Sequence, residues 1–248
     1  MKRYLLDVSY DGTAYCGWQR QSNGPSVQQT LEETLSVLLG TEIKVTGASR
    51  TDAGVHALGQ RAHFDAETGI PAEKLPFALN TMLPPDIRAL RGQLVPDSFH
   101  ARFSVSGKTY TYRIHNAPHA SAIYRATTAH IPVTLDDRLM DEAARQLLGT
   151  HDFAAFAAAG GSAKTTVRSI TDISVERKED EVSLSVSGNA FLYNMVRIIA
   201  GTLIDIGHRK LPPDCLSEAL RTGDRLSLGP TAPAQGLELT HVYYPDIE

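Results

Sequence analysis

Tyr4, Leu6, Val8 and Tyr10 alternate with Leu5, Asp7 and Ser9, a two-residue period that predicts a strand over 2–10, ended by Asp11-Gly12-Thr13. The period then changes. Val27, Leu31, Leu35, Leu38 and Leu39 form one apolar stripe of a helix that Pro25 opens and Gly40 closes. Strand-like segments at 42–46 and 60–66 follow, separated by a polar, glycine-containing stretch at 47–57. A second helix is expected over 71–82, perturbed at Pro76 and closed by Pro84-Pro85, and then a strand over 87–95.

At Gly107 the pattern begins again. Lys108 to His115 alternates as a strand, and a helix over 134–148 carries Leu135, Leu139, Ala143, Leu147 and Leu148 on one face, with Thr134 and Asp137 as its capping pair. Strands at 166–176 and 182–188 are joined by the charged Arg177-Lys178-Glu179-Asp180, read as a solvated turn. Helices at 198–206 and 213–222 and a strand at 237–244 complete the chain. Each half reads strand, helix, two strands, helix. That order predicts an α+β fold of two related subdomains, 1–105 and 106–248, each a mainly antiparallel sheet with helices on one face, around a central cleft. The duplication rests on element order alone, without a residue-level repeat.

Composition narrows the class. The 248 residues are 42% hydrophobic and 21% charged, as in a globular protein, and no apolar run reaches membrane-spanning length. The first residues, Met1 to Asp7, meet an acid too early for a signal-peptide core. Cys16 and Cys215 supply neither a disulfide framework nor a zinc set, so a reducing cytoplasm is expected. The net charge of −4 counts against a generic nucleic-acid binder, but an RNA enzyme needs only its arginines gathered locally. His56 and His63 lack a third ligand at useful spacing, and no metal is expected.

The densest chemistry lies in Gly47-Ala48-Ser49-Arg50-Thr51-Asp52-Ala53-Gly54-Val55-His56-Ala57. Arg50 and Asp52 flank one threonine, so an extended backbone places both side chains on one face, where the guanidinium keeps the carboxylate ionised. Gly54 lets the chain turn back. No second acid flanks Asp52 in sequence, as ordinary glycoside hydrolysis would require. There is no nucleophile elbow, Walker loop or dinucleotide fingerprint. What remains is covalent catalysis by a carboxylate on a substrate with its own electrophilic centre.

The eleven-residue string resembles the signature of the TruA family of tRNA pseudouridine synthases, and further blocks share the likeness. They are Phe99-His100-Ala101-Arg102-Phe103, Lys108-Thr109-Tyr110, Phe191-Leu192 with Met195-Val196-Arg197, and Ala232-Pro233-Ala234 with Gly236-Leu237. The resemblance implies an isomerase with no cofactor, acting on uridines 38, 39 and 40 of the tRNA anticodon arm as a homodimer. It implies Asp52 as nucleophile, at C1′ or through a glycal-type intermediate, and Tyr110 stacking on the uracil. Arg197 would pair with the aspartate, and Arg50 would intrude at the flipped nucleotide. Arg102 either reaches RNA phosphate or pins the connection between halves. The loop around Trp18 either stacks on RNA or tucks the indole into the core. Two other functions fit parts of the pattern: a non-catalytic RNA-binding protein, and a nucleoside or glycoside hydrolase working from Asp52.

Overall fold

The structure is a computed structural model that describes residues 1–161, 163–245 and 247. Its elements are mixed α and β with mostly antiparallel strands, and the chain divides into two compact units, Met1–Ser106 with Glu238–Glu248, and Gly107–Leu237. Among the described residues no helix is long and apolar enough to cross a membrane.

In the first unit β1 (Lys2–Tyr10) lies antiparallel between β3 (His56–Ala66) and β4 (Ile87–Val95). The alternation read from the sequence is the register: Tyr4 faces Phe64 and Leu94 across the two ladders, and Tyr4 and Phe64 stack at 5.3 Å. α1 (Val27–Leu39) runs between Ser26, whose hydroxyl accepts the Gln29 amide, and Gly40 in the left-handed region. It buries Val27, Leu31 and Leu35.

The strand expected at 42–46 is reduced to β2 (Thr46–Gly47) beside β3. The preceding backbone is bonded to side chains of α1 instead: the Ile43 amide to Ser36 Oγ at 2.9 Å and the Val45 amide to buried Glu32 Oε1 at 3.0 Å. The helix expected at 71–82 is a 3-10 turn, Ala72–Lys74, followed by α2 (Leu75–Asn80). Pro76 falls in the first turn of α2, where its missing N–H is not needed.

The second unit is built on β5 (Gly107–His115), which has the short β6 (Ala129–His130) parallel to it. α3 (Asp137–Ala144) comes next, and the antiparallel β7 (Gly149–Asp152), β8 (Val167–Lys178) and β9 (Glu181–Gly188) complete the sheet order β5-β9-β8-β7. α3 begins later than the Thr134 pattern suggests. The Leu135 amide donates to Asn116 Oδ1, and Asp136 supplies the cap by accepting the Leu139 amide. Arg177 does not belong to a solvated turn: it donates to Asp137 Oδ1 at 2.6 Å and to Asn116 Oδ1 and the Leu135 carbonyl, both at 2.9 Å. α4 (Met195–Gly207) is buried at every position except Arg197 and Asp205. A helix apolar all round is a core helix. α5 (Cys215–Thr222) follows it.

The last strand, β10 (Leu237–Tyr243), pairs in parallel with β3 through Glu238 and Leu239, opposite His56 and Ala57. The chain from Glu238 onward therefore groups with the first unit.

Candidate active site

The Asp52 turn is held by backbone packing. Thr51 is buried, and its hydroxyl shares a 2.7 Å hydrogen bond with the hydroxyl of Tyr10 at the end of β1. The Trp18 amide donates to the Thr51 carbonyl at 3.1 Å, the Gly54 amide to the Tyr15 carbonyl at 3.3 Å, and the Val55 amide back to the Asp52 carbonyl at 3.1 Å. Gly54 has φ +76°, the turn its position predicts.

Two glycines elsewhere in sequence permit this approach. A Cβ on Gly12 would stand 2.0 Å from the Val55 carbonyl oxygen. One on Gly17, whose φ is +95°, would stand 2.5 Å from that of Thr51. The Gly12 amide also donates to Nδ1 of buried His56 at 3.1 Å. Asp52 is left half-buried on a fixed turn.

Trp18 belongs to the core. It is 2% exposed, with Tyr10 at 5.9 Å, and a side chain on Gly47 would strike its indole at 2.4 Å. A ring so enclosed cannot stack on RNA. The histidines are likewise occupied in packing: His63 is buried, and its Nδ1 accepts the Ala101 amide at 3.1 Å. Among the described residues no group of three or more His, Cys, Asp or Glu is placed to hold a metal ion.

Arg50 is exposed, and among the described residues it makes no hydrogen bond or ion pair. The side-by-side pairing with Asp52 expected from their spacing is therefore not what holds it. Its charged neighbour is Arg102: partial desolvation and then the like charge of Arg102 lower the Arg50 pKa from its ordinary value. Arg102 is exposed as well, its guanidinium carbon 5.8 Å from the centroid of the Phe103 ring.

In the second unit Tyr110 lies on β5 opposite Val186 of β9, 8% exposed, with its ring edge-on to Phe191 at 5.1 Å. Arg197 sits in the first turn of α4. Its Nε donates to the Ala232 carbonyl at 2.7 Å and its Nη1 to Asn194 Oδ1 at 2.9 Å. The adjoining Pro233 carbonyl accepts the Tyr112 hydroxyl at 2.9 Å. Three blocks far apart in sequence, 108–112, 191–197 and 232–237, thus meet within this unit. These neutral acceptors satisfy two of the Arg197 donors.

The comparisons with known proteins give the family. A tRNA pseudouridine synthase family model matches residues 8–104 and 143–245, which include Arg50, Asp52, Arg102 and Arg197; Tyr110 lies in the gap between the matched segments. The tRNA pseudouridine synthase A of Ruminiclostridium cellulolyticum is 49% identical over 98% of this chain and 100% of its own length. That of Acetivibrio thermocellus is 48% identical with the same coverage. A solved Cbf5-Nop10-Gar1 complex has a chain of which half is covered, at 14% identity and a TM-score of 0.39, a likeness too loose to carry an argument. The chain belongs to the tRNA pseudouridine synthase family, isomerases that act on tRNA.

The alternation pattern gave no sign of the residues that hold the turn. Asp11-Gly12-Thr13 read only as the end of a strand, and Gly17 as part of a loop. A glycine pair flanking an aromatic loop was the available signal, but what those glycines make room for is a carbonyl of another segment.

Proposed function

We propose that this chain isomerises uridine to pseudouridine at positions 38, 39 and 40 of the tRNA anticodon arm, in the cytoplasm and as a homodimer, with Asp52 as the nucleophile. The N1–C1′ bond breaks, the freed uracil turns in place, and C5 bonds to C1′. The proton on C5 is then lost, and N1 takes one up. Uracil N1 leaves as a delocalised anion, so the step runs without a redox partner. Tyr110 stacks on the base, and its hydroxyl is suited to assist loss of the C5 proton. Arg50, Arg102 and Arg197 bind the RNA. Taking the base out of its stack costs roughly a few kcal/mol, which aromatic stacking and arginine contacts offset.

The observation that supports this reading best is the half-buried Asp52 on a turn fixed by Thr51, Val55, Gly12 and Gly17. A nucleophile held by backbone packing needs little reorganisation when substrate arrives. The test is carbodiimide-adduct primer extension on tRNA treated with the protein. New stops at 38–40 are expected. Abasic sites would instead identify a hydrolase, and unaltered RNA that still binds would identify a binding protein.

A further inference from the structure

Phe103 follows Arg102 at the surface of the first unit. It is 76% exposed, yet its surroundings are built rather than loose. One side of the ring lies on His100, with centroids 4.3 Å apart and planes 28° from parallel, and His100 meets the edge of buried His63 at 4.9 Å. The turn beneath is fully bonded. The Phe103 and Ser104 amides donate to the His100 carbonyl at 3.0 and 2.8 Å, the His100 amide to Ser104 Oγ at 3.0 Å, and the Tyr244 hydroxyl to the carbonyl of buried Ala101 at 2.6 Å.

The Arg102 guanidinium carbon lies over the ring, 5.8 Å from its centroid. Arg3, Arg20 and Arg61 each pair with a carboxylate. Among the described residues the Arg50 and Arg102 side chains pair with none, although they stand close enough for one charge to affect the other. A guanidinium that pairs with no carboxylate, 5.8 Å over a largely exposed aromatic ring and within electrostatic reach of a second one, matches the chemistry of single-stranded nucleic acid, with phosphate on the cations and a base on the ring. Exposed Phe77 differs: its neighbouring cation is Lys74, one turn away, and among the described residues no other ring stacks beneath it.

We infer that Phe103, propped on His100 and accompanied by Arg102, is a stacking platform for an unpaired nucleobase of the RNA substrate, distinct from the uridine that reacts. The inference rests on the proposed RNA function. Because the turn is already ordered in the free protein, stacking there requires little loss of loop entropy.

The test compares Phe103→Ala, Phe103→Leu and Phe103→Trp with wild type, using a synthetic anticodon-arm RNA. Affinity, single-turnover pseudouridine formation at saturating RNA and oligomeric state are read on each preparation. Phe103→Ala and Phe103→Leu are expected to bind about tenfold or more weakly, while Phe103→Trp restores binding. Melting temperatures should stay near wild type, because the side chain is exposed. Wild-type affinity in Phe103→Leu would overturn the inference, since leucine keeps the apolar bulk without the π-face. Unchanged affinity with an altered oligomeric state would overturn it in favour of a protein contact. If wild type binds the RNA but makes no pseudouridine, the isomerase reading fails while the Phe103 series still decides the platform.

Discussion

The turn that carries Asp52 and the strand that carries Tyr110 are fixed by different physical means. Around Asp52 there is almost no regular ladder: the chain is positioned by single hydrogen bonds involving Tyr10, the Tyr15 carbonyl, and the Trp18 and Val55 amides, and by glycines that let carbonyls approach. Around Tyr110 the ladder does the positioning, with β5 and β9 in unbroken register from Lys108 opposite Gly188 to His115 opposite Glu181. A site on a turn depends on a few irreplaceable backbone atoms, whereas a site in a strand shares its placement among many equivalent bonds. Damage should therefore be steep in the first region and graded in the second.

The chemical extreme is Asp52→Asn, which keeps the size and removes the charge. Single-turnover pseudouridine formation should fall by on the order of a thousandfold or more. Folding and RNA affinity should survive, because the turn is held by its backbone. A folded, RNA-binding variant with a near-wild-type rate would remove Asp52 from the chemistry.

Next in size is Gly17→Ala, which puts a Cβ against the Thr51 carbonyl at a positive φ. We expect about 2–4 kcal/mol of lost stability in urea unfolding, with the rate falling too. Gly69→Ala is the control, since nothing lies within 4 Å of its Cβ, and it should change stability little. Equal effects in the two variants would mean that the turn tolerates a shifted Thr51, and the contrast with the strand would collapse.

Acid should reach the turn's side of the molecule first. Burial, aided by the charge of Arg3 and by His100, pushes the buried His63 on β3 down to about 4. The unfolded chain takes up that proton near the ordinary value of 6.5, while the folded chain resists it. The contribution is therefore complete above pH 6.5 and is lost as pH falls towards 4, reaching roughly 2–3 kcal/mol there. Melting temperatures across that window test it, and His63→Asn should flatten the profile. An unchanged profile in that variant would assign the acid sensitivity to other groups.

The smallest effect belongs to the strand. Tyr110→Ala should cost about 1–3 kcal/mol of base stacking, seen as a tenfold or larger loss of turnover. Tyr110→Phe should retain partial activity, because the ring and its ladder position remain. Equal, near-wild-type turnover in both variants would take Tyr110 out of the site.

What the sequence determined by itself was the part written in local periodicity and local chemistry. The alternation at 2–10 is β1 to the residue, the stripe from Val27 to Leu39 is α1, and the string around Asp52 carried the family. These readings succeed because a two-residue or 3.6-residue period reports which side of an element is buried, whatever buries it. Where the partner is distant, the tertiary structure decided. Residues 43–45 look like a strand because Ile43 and Val45 are apolar, but the side chains of Ser36 and Glu32 take their amides. Arg177 reads as solvated until Asp137 and Asn116 stand beside it, and Trp18 reads equally as an RNA contact or a core anchor until Gly47 makes room for its indole. Only folding brings Gly12 and Gly17 against the Asp52 turn and returns β10 to His56 and Ala57. Such contacts depend on which backbone atoms meet across long stretches of chain, and no period along one segment encodes that.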